Sequence, residues 1–114
     1  MEYEIIVTNT NKNTILDKKT GKDEFFQDLQ SVLRDMYSLS NRDFPSLESF
    51  NETFHLENQM IRNDPNGTIN KILIYRAELI GFANDPLNME LKITLKGTPD
   101  EINQAEATAN ALFD

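Results

Sequence analysis

Residues 89–113 change their hydrophobic period once, and a helix-start signal stands at the change. Met89, Leu91, Ile93 and Leu95 alternate with Glu90, Lys92, Thr94 and Lys96, the pattern of a strand with one buried face. Thr98, Pro99 and Glu101 then supply an N-cap, a first-turn proline and the third residue of a capping box. Beyond them Ile102, Ala105, Ala109, Leu112 and Phe113 keep helical spacing, with small residues that permit close approach to a sheet. A one-faced strand leading directly into a one-striped helix must bury both against neighbouring layers. That commits the chain to a layered α+β fold.

The rest of the chain fits this frame. In the segment Glu2 to Asn9, Tyr3, Ile5 and Val7 share one face of a first strand. Asn9 to Lys22 is polar, with Ile15-Leu16 its one apolar pair, and is read as a loop or a short edge hairpin. Thr20-Gly-Lys-Asp23 opens a helix over 23–38. Its stripe is Phe25, Phe26, Leu29, Val32, Leu33, Met36 and Tyr37, and Asp23 and Glu24 complement its dipole. Asp43-Phe-Pro45 is a helix-start signal for a short helix or turn from Pro45 to Asn51. From Phe54 the period is two, with Phe54, Leu56, Asn58 and Met60 on one face. Asp64-Pro65-Asn66-Gly67 marks a hairpin turn. Thr68 to Phe82 reads as a long strand, much of it covered on both faces, and Asn84-Asp85-Pro86 as the turn after it.

The expected order is therefore β-α-(α)-β-β-β-α. This predicts a single α+β domain over 1–114: a four-stranded, mostly antiparallel sheet with the helices at 23–38 and 99–113 on one face. The predicted core is Ile5, Val7, Phe26, Leu29, Leu33, Met36, Leu73, Leu91, Ile93, Ile102, Ala105, Ala109 and Leu112. A chain of 114 residues, 39% hydrophobic and with seven Phe, can fill such a core without cross-links. It holds no cysteine, which removes disulfides, thiolate metal sites and thiol nucleophiles.

Met1 leads straight into an acidic strand with no basic and apolar leader, and no apolar run approaches membrane-spanning length. The expectation is a cytoplasmic protein without membrane contact. The sequons Asn51-Glu-Thr53 and Asn66-Gly-Thr68 are then chance triplets in a chain with 13 asparagines. Abundant Asn, Ile and Lys fit an AT-rich coding sequence of the kind found in low-GC bacteria, their phages and plasmids.

Motifs for chemistry are weak. Glu90-Leu-Lys92 matches half of a divalent-metal nuclease signature, with Asp64 as the upstream carboxylate, but Glu-x-Lys is also the default exposed face of a half-buried strand. Asn9, Asn11 and Asn13 take the first three positions of a calcium loop, yet Thr14 and Thr20 stand where its glycine and closing glutamate belong. His55 is the one histidine, and no nucleophile-elbow motif surrounds Ser38, Ser40, Ser46 or Ser49. The four glycines are scattered, so no loop cradles phosphate. No catalytic residue, metal site or cofactor is assigned, and the chain is read as a non-enzyme.

What remains is charge: 19 acids against 11 bases, net −8. Residues 23–61 carry eight acids and two arginines, and residues 97–114 carry four acids and no base. This argues against direct binding to nucleic acid or an anionic membrane and favours a basic protein surface as partner. The candidate contact residues are Glu24, Asp28, Asp35, Glu48 and Glu52. The function expected is a protein-binding module, such as a small acidic phage- or plasmid-type inhibitor of a basic nucleic-acid-handling protein. Two alternatives stand beside it. One is a phage-type structural or assembly subunit. The other is an RNA-binding or ribosome-associated module, because the order β-α-β-β-β-α resembles that of the double-stranded RNA-binding fold and of ribosome-associated stasis factors. The sequence sets neither oligomeric state nor partner identity.

Overall fold

The computed structural model describes residues 1–40, 44–80 and 86–113. Its elements are β1 (Glu2–Asn9), β2 (Thr14–Gly21), α1 (Phe25–Ser40), α2 (Leu47–Asn51), β3 (His55–Asn63), β4 (Ile69–Ile80), β5 (Pro86–Gly97) and α3 (Pro99–Phe113). The strands make one antiparallel sheet in the order β2-β1-β5-β4-β3. The fold is α+β as expected, but the sheet has five strands rather than four. The additional strand is β2, from the polar Asn9–Lys22 stretch. It pairs with β1 at the sheet's edge, where backbone hydrogen bonding needs no apolar alternation, and Leu16 is an extra residue in that ladder.

Register shows which face the helices cover. Tyr3, Leu95 and Lys71 stand in one row across β1, β5 and β4, and Val7, Leu91 and Tyr75 in another. Tyr3 bonds Asp28 of α1, while Lys71 and Tyr75 bond Glu106 and Asn110 of α3. All these contacts lie on the same side of the sheet. Ile6, Ile72 and Ile74 point to the other side and are only half-buried. The expectation that much of the long strand is covered on both faces therefore fails: β4 has a helix-covered face and an open one.

Local signals explain the boundaries. Glu24 caps α1 through its carbonyl, which accepts the Asp28 N–H at 2.9 Å. Ser46 caps α2 in a reciprocal box with Ser49, so the short helix begins after Pro45; Asp43, read as part of its start, lies outside the described residues. Thr98 and Glu101 form the expected box on α3, with the Thr98 N–H donating to Oε1 at 3.0 Å and the Glu101 N–H to the Thr98 hydroxyl at 3.3 Å. The β3–β4 turn closes with Gly67 N–H donating to the Asp64 carbonyl, and Gly67 takes φ +80°, where a side chain would be strained. Gly81, Phe82, Asn84 and Asp85, at the end of the expected long strand and its turn, lie outside the described residues.

The core is one continuous cluster that contains eleven of the thirteen residues expected in it. Phe26 is the main correction. It is 43% exposed, while Phe25 is buried edge-on to Tyr3 at a ring-centroid distance of 5.4 Å. Phe25, Leu29, Val32 and Met36 centre the buried stripe, and Phe26 is turned about 100° from Phe25. Leu112 is only partly buried, packed against the cluster's rim. Aromatic rings tie the helices together: Phe50 meets Tyr37, Phe44 and Phe54, Phe54 meets Phe113, and Phe113 meets Tyr75.

β3 breaks the expected alternation. A bulge between Leu56 and Asn58 places Leu56 opposite Tyr75 but Asn58 opposite Ile74, so Leu56 and Asn58 occupy different faces. Phe54 precedes the strand and is buried, whereas every residue of β3 is exposed.

Candidate functional site

The five acids expected to form one binding face divide among three places. Glu24 and Asp28 lie on the flank of α1 toward β1, and Asp35 continues that flank two turns on. Asp28 is committed to the fold, because its Oδ2 accepts the Tyr3 hydroxyl at 2.5 Å. Burial and the Asp28 carboxylate push the Tyr3 phenol up to about 12. Glu48 lies on the other side of α1, in a cleft of about 400 Å³ between the three helices. Gln30, Leu33, Leu47, Asn51, Ala111 and Leu112 complete its lining. Glu52 stands at the start of the sheet's outer edge, beside Thr53, His55, Glu57, Arg76 and Glu78.

Charge divides by layer more sharply than the sequence revealed. Among the described residues, the helices and their flanking turns (22–53 and 98–113) hold Asp23, Glu24, Asp28, Asp35, Glu48, Glu52, Asp100, Glu101 and Glu106, against Lys22 and Arg34 alone. The strands and hairpin turns are close to neutral, and on the open face cations and acids pair: Arg76 bridges Glu57 at 2.9 Å and Glu90 at 3.2 Å, and Lys18 lies 3.9 Å from Glu4. None of the ion pairs among the described residues uses Glu24, Asp35, Glu48 or Glu52. Two acids of the helix layer are paired: Glu106 holds Lys71 beneath α3, and Glu101 accepts from the Met1 ammonium at 3.0 Å. Thr98 N–H first, and then the Met1 ammonium, bring Glu101 down to about 2.

The weak motifs come apart in three dimensions. Glu90 faces Arg76, while Asp64 sits at the turn beyond Ile69, about seven residues or roughly 23 Å away along β4. Asn9 accepts the Asn11 N–H at 3.1 Å, Asn11 accepts from Asn88 at 3.0 Å, and Asn13 takes φ 54° in the β1–β2 turn, so these asparagines build the hairpin. The Ser38 hydroxyl donates to the Arg34 carbonyl, and Ser46 and Ser49 cap α2. His55 is exposed at the edge strand opposite Arg76. Among the described residues no group of three or more His, Cys, Asp or Glu is placed to hold a metal ion, and no helix is long and apolar enough to cross a membrane. Asn51, the first sequon asparagine, is 6% exposed.

Two surface features escaped the sequence reading. One is the open sheet face, with a groove of about 530 Å³ lined by Met60, Ile61, Arg62, Asn70, Ile72 and Thr94. The other is the three-helix cleft. Glu48 and Asn51 at i, i+3 were visible in the sequence, but Ala111 and Leu112 reach them only through the tertiary fold. Comparison with protein-family models, with curated proteins and with solved structures finds no match to this chain.

Proposed function

We propose that this protein is a non-enzymatic binding module whose acidic helix layer docks on a basic protein surface. The observation that carries the reading is the segregation of charge by layer: among the described residues, carboxylates outside any ion pair are concentrated on the helices above a nearly neutral sheet. A uniform charge surplus serves solubility; a surplus confined to one layer also orients encounter with a cationic surface. An inhibitor of a nucleic-acid-handling protein, acting in the cytoplasm, is the specific form we favour. The RNA-binding alternative draws less support, because the helices are the anionic layer and would repel phosphate.

The test uses three baits in a host extract: the wild-type protein, a Glu24→Lys/Asp35→Lys/Glu52→Lys variant, and an open-face Lys92→Glu/Lys96→Glu variant. A basic protein retained by the wild type and the open-face variant but lost from the helix-layer variant is the expected result. A partner lost only from the open-face variant overturns the reading.

A second reading, assembly into a larger structure, is favoured by β3. It is an outer strand exposed along its whole length and carries Leu56, Met60 and Ile61. Concentration-dependent light scattering tests it: a mass that stays at one chain across working concentrations rules this reading out.

A further inference from the structure

The two edges of the sheet are protected unequally. β2 is guarded: Asp17, Lys18 and Lys19 are consecutive, and Leu16 interrupts its ladder. β3 ends the other side of the strand order, and all nine of its residues are exposed. Three of the five large apolar side chains exposed among the described residues, Leu56, Met60 and Ile61, stand on it. Its bulge lies near the start, so residues 58–63 pair with β4 without a break, and Arg62 is the one charge among them. No described strand lies beyond β3 to take its outward N–H and C=O groups. Such a segment is a template for another strand.

That segment is complementary to itself. An antiparallel copy related by a twofold axis perpendicular to the sheet keeps each face on its own side, so opposed residues are an even number apart in sequence. With the axis at Met60, Met60 opposes the copy's Met60, Gln59 opposes its Ile61, and Asn58 opposes its Arg62. Arg62, in none of the ion pairs among the described residues, then meets the copy's Asn58 amide, one residue from Glu57. A parallel copy in register would instead set Arg62 on Arg62 and Glu57 on Glu57. Met60 also stands opposite Ile72 at the groove on the open face, so the two grooves become neighbours across the axis.

We infer that β3 pairs antiparallel with β3 of a second copy, joining two five-stranded sheets into one; this rests on the assembly reading above and is independent of the helix-layer reading. The pairing uses up the unguarded edge of both copies, and guarded β2 stops growth at the ends, so assembly closes at two chains. About seven residues a side, against roughly 20–30 in a standard interface, make the dimer a reversible one. Both helix layers then lie on the same side, and a partner with two basic patches meets a doubled anionic surface.

Sedimentation velocity across a range of concentrations, at low and high salt, tests the state. The wild type is expected to pass from one chain to two and no further. Salt should strengthen the association, because each copy carries −8 and the contact is chiefly backbone and apolar. Met60→Lys, which sets two ammonium groups against each other at the axis, should stay folded and monomeric, while Ile15→Lys on β2 should dimerise like the wild type. Cross-linking tests the register. The chain holds no cysteine, so Met60→Cys supplies one thiol at the axis, where opposed Cα atoms stand about 4.5–5.5 Å apart, within disulfide reach. On mild oxidation it should cross-link far faster than Ile15→Cys. Equal cross-linking of the two cysteine variants, or a Met60→Lys dimer, overturns the inference. A mass that grows past two chains overturns it as well but leaves the assembly reading standing. One chain at every concentration removes both and leaves β3 for a strand of another protein. An association weakened by salt places the contact on the acidic helix layer and also overturns the inference.

Discussion

Lys71 occupies a helix-facing position of β4 and is only 8% exposed, with Glu106 of α3 as its ionic partner. An ammonium so placed is tolerated only while that carboxylate faces it. Glu106→Gln should therefore cost about 3 kcal/mol in chemical denaturation, whereas Lys71→Met/Glu106→Leu should be near neutral because no charge is left unpaired. Gly21 makes a similar local demand. A Cβ there would stand 2.8 Å from the Tyr3 ring carbon Cζ, so Gly21→Ala should cost about 1–3 kcal/mol by displacing the ring. The two shifted groups set opposite pH limits. Glu101 falls from 4.5 to about 2 on folding, so its contribution is present above pH 4.5 and is lost as pH drops toward 2. Tyr3 rises from 10.0 to about 12, so its contribution is present below pH 10 and is lost as pH climbs toward 12. Glu101→Gln should flatten the acid limb of a stability–pH curve, and Tyr3→Phe the alkaline limb.

The elements divide by how much apolar pattern their position demands. α3 and β5 were legible because both bury one face under strong local signals, a capping box and a strict alternation. α1 was legible in extent but not in phase at its first turn, since adjacent Phe25 and Phe26 both fit the spacing and only docking against Tyr3 of β1 buries Phe25 and leaves Phe26 exposed. β2 was half legible: its stretch read equally as a loop or a short edge hairpin, and the hairpin is what forms, because an outer strand of Thr, Asp and Lys needs only a backbone partner. The β3 bulge was hidden because nothing in His55–Asn63 marks an extra residue. The three-helix cleft was illegible for a different reason: it exists only where α2 and the last turn of α3 meet α1, and sequence spacing measures single elements. Docking of α1 carries much of the core, so Leu29→Ala, at a fully buried position, should lower stability by about 2–5 kcal/mol. An unchanged denaturation midpoint would place α1 elsewhere.

At the scale of the molecule, a body of 50 × 25 × 21 Å presents two unlike broad surfaces, an anionic helix layer and a nearly neutral sheet. Because Asp28 holds Tyr3, reversing its charge would confound binding with stability, and Glu24, Asp35 and Glu52 are the cleaner probes. These exposed carboxylates contribute little to stability, so a triple reversal should leave the melting temperature nearly unchanged. Their effect belongs to encounter, which acts over a Debye length of ~8 Å at 0.15 M salt. The decisive measurement is the association rate of the basic protein recovered with the wild type, taken at low and high salt. The account predicts a wild-type rate that falls steeply with salt, a Glu24→Lys/Asp35→Lys/Glu52→Lys rate about tenfold slower at low salt, and convergence of the two at high salt. Equal rates for wild type and triple variant at both salt concentrations would contradict it.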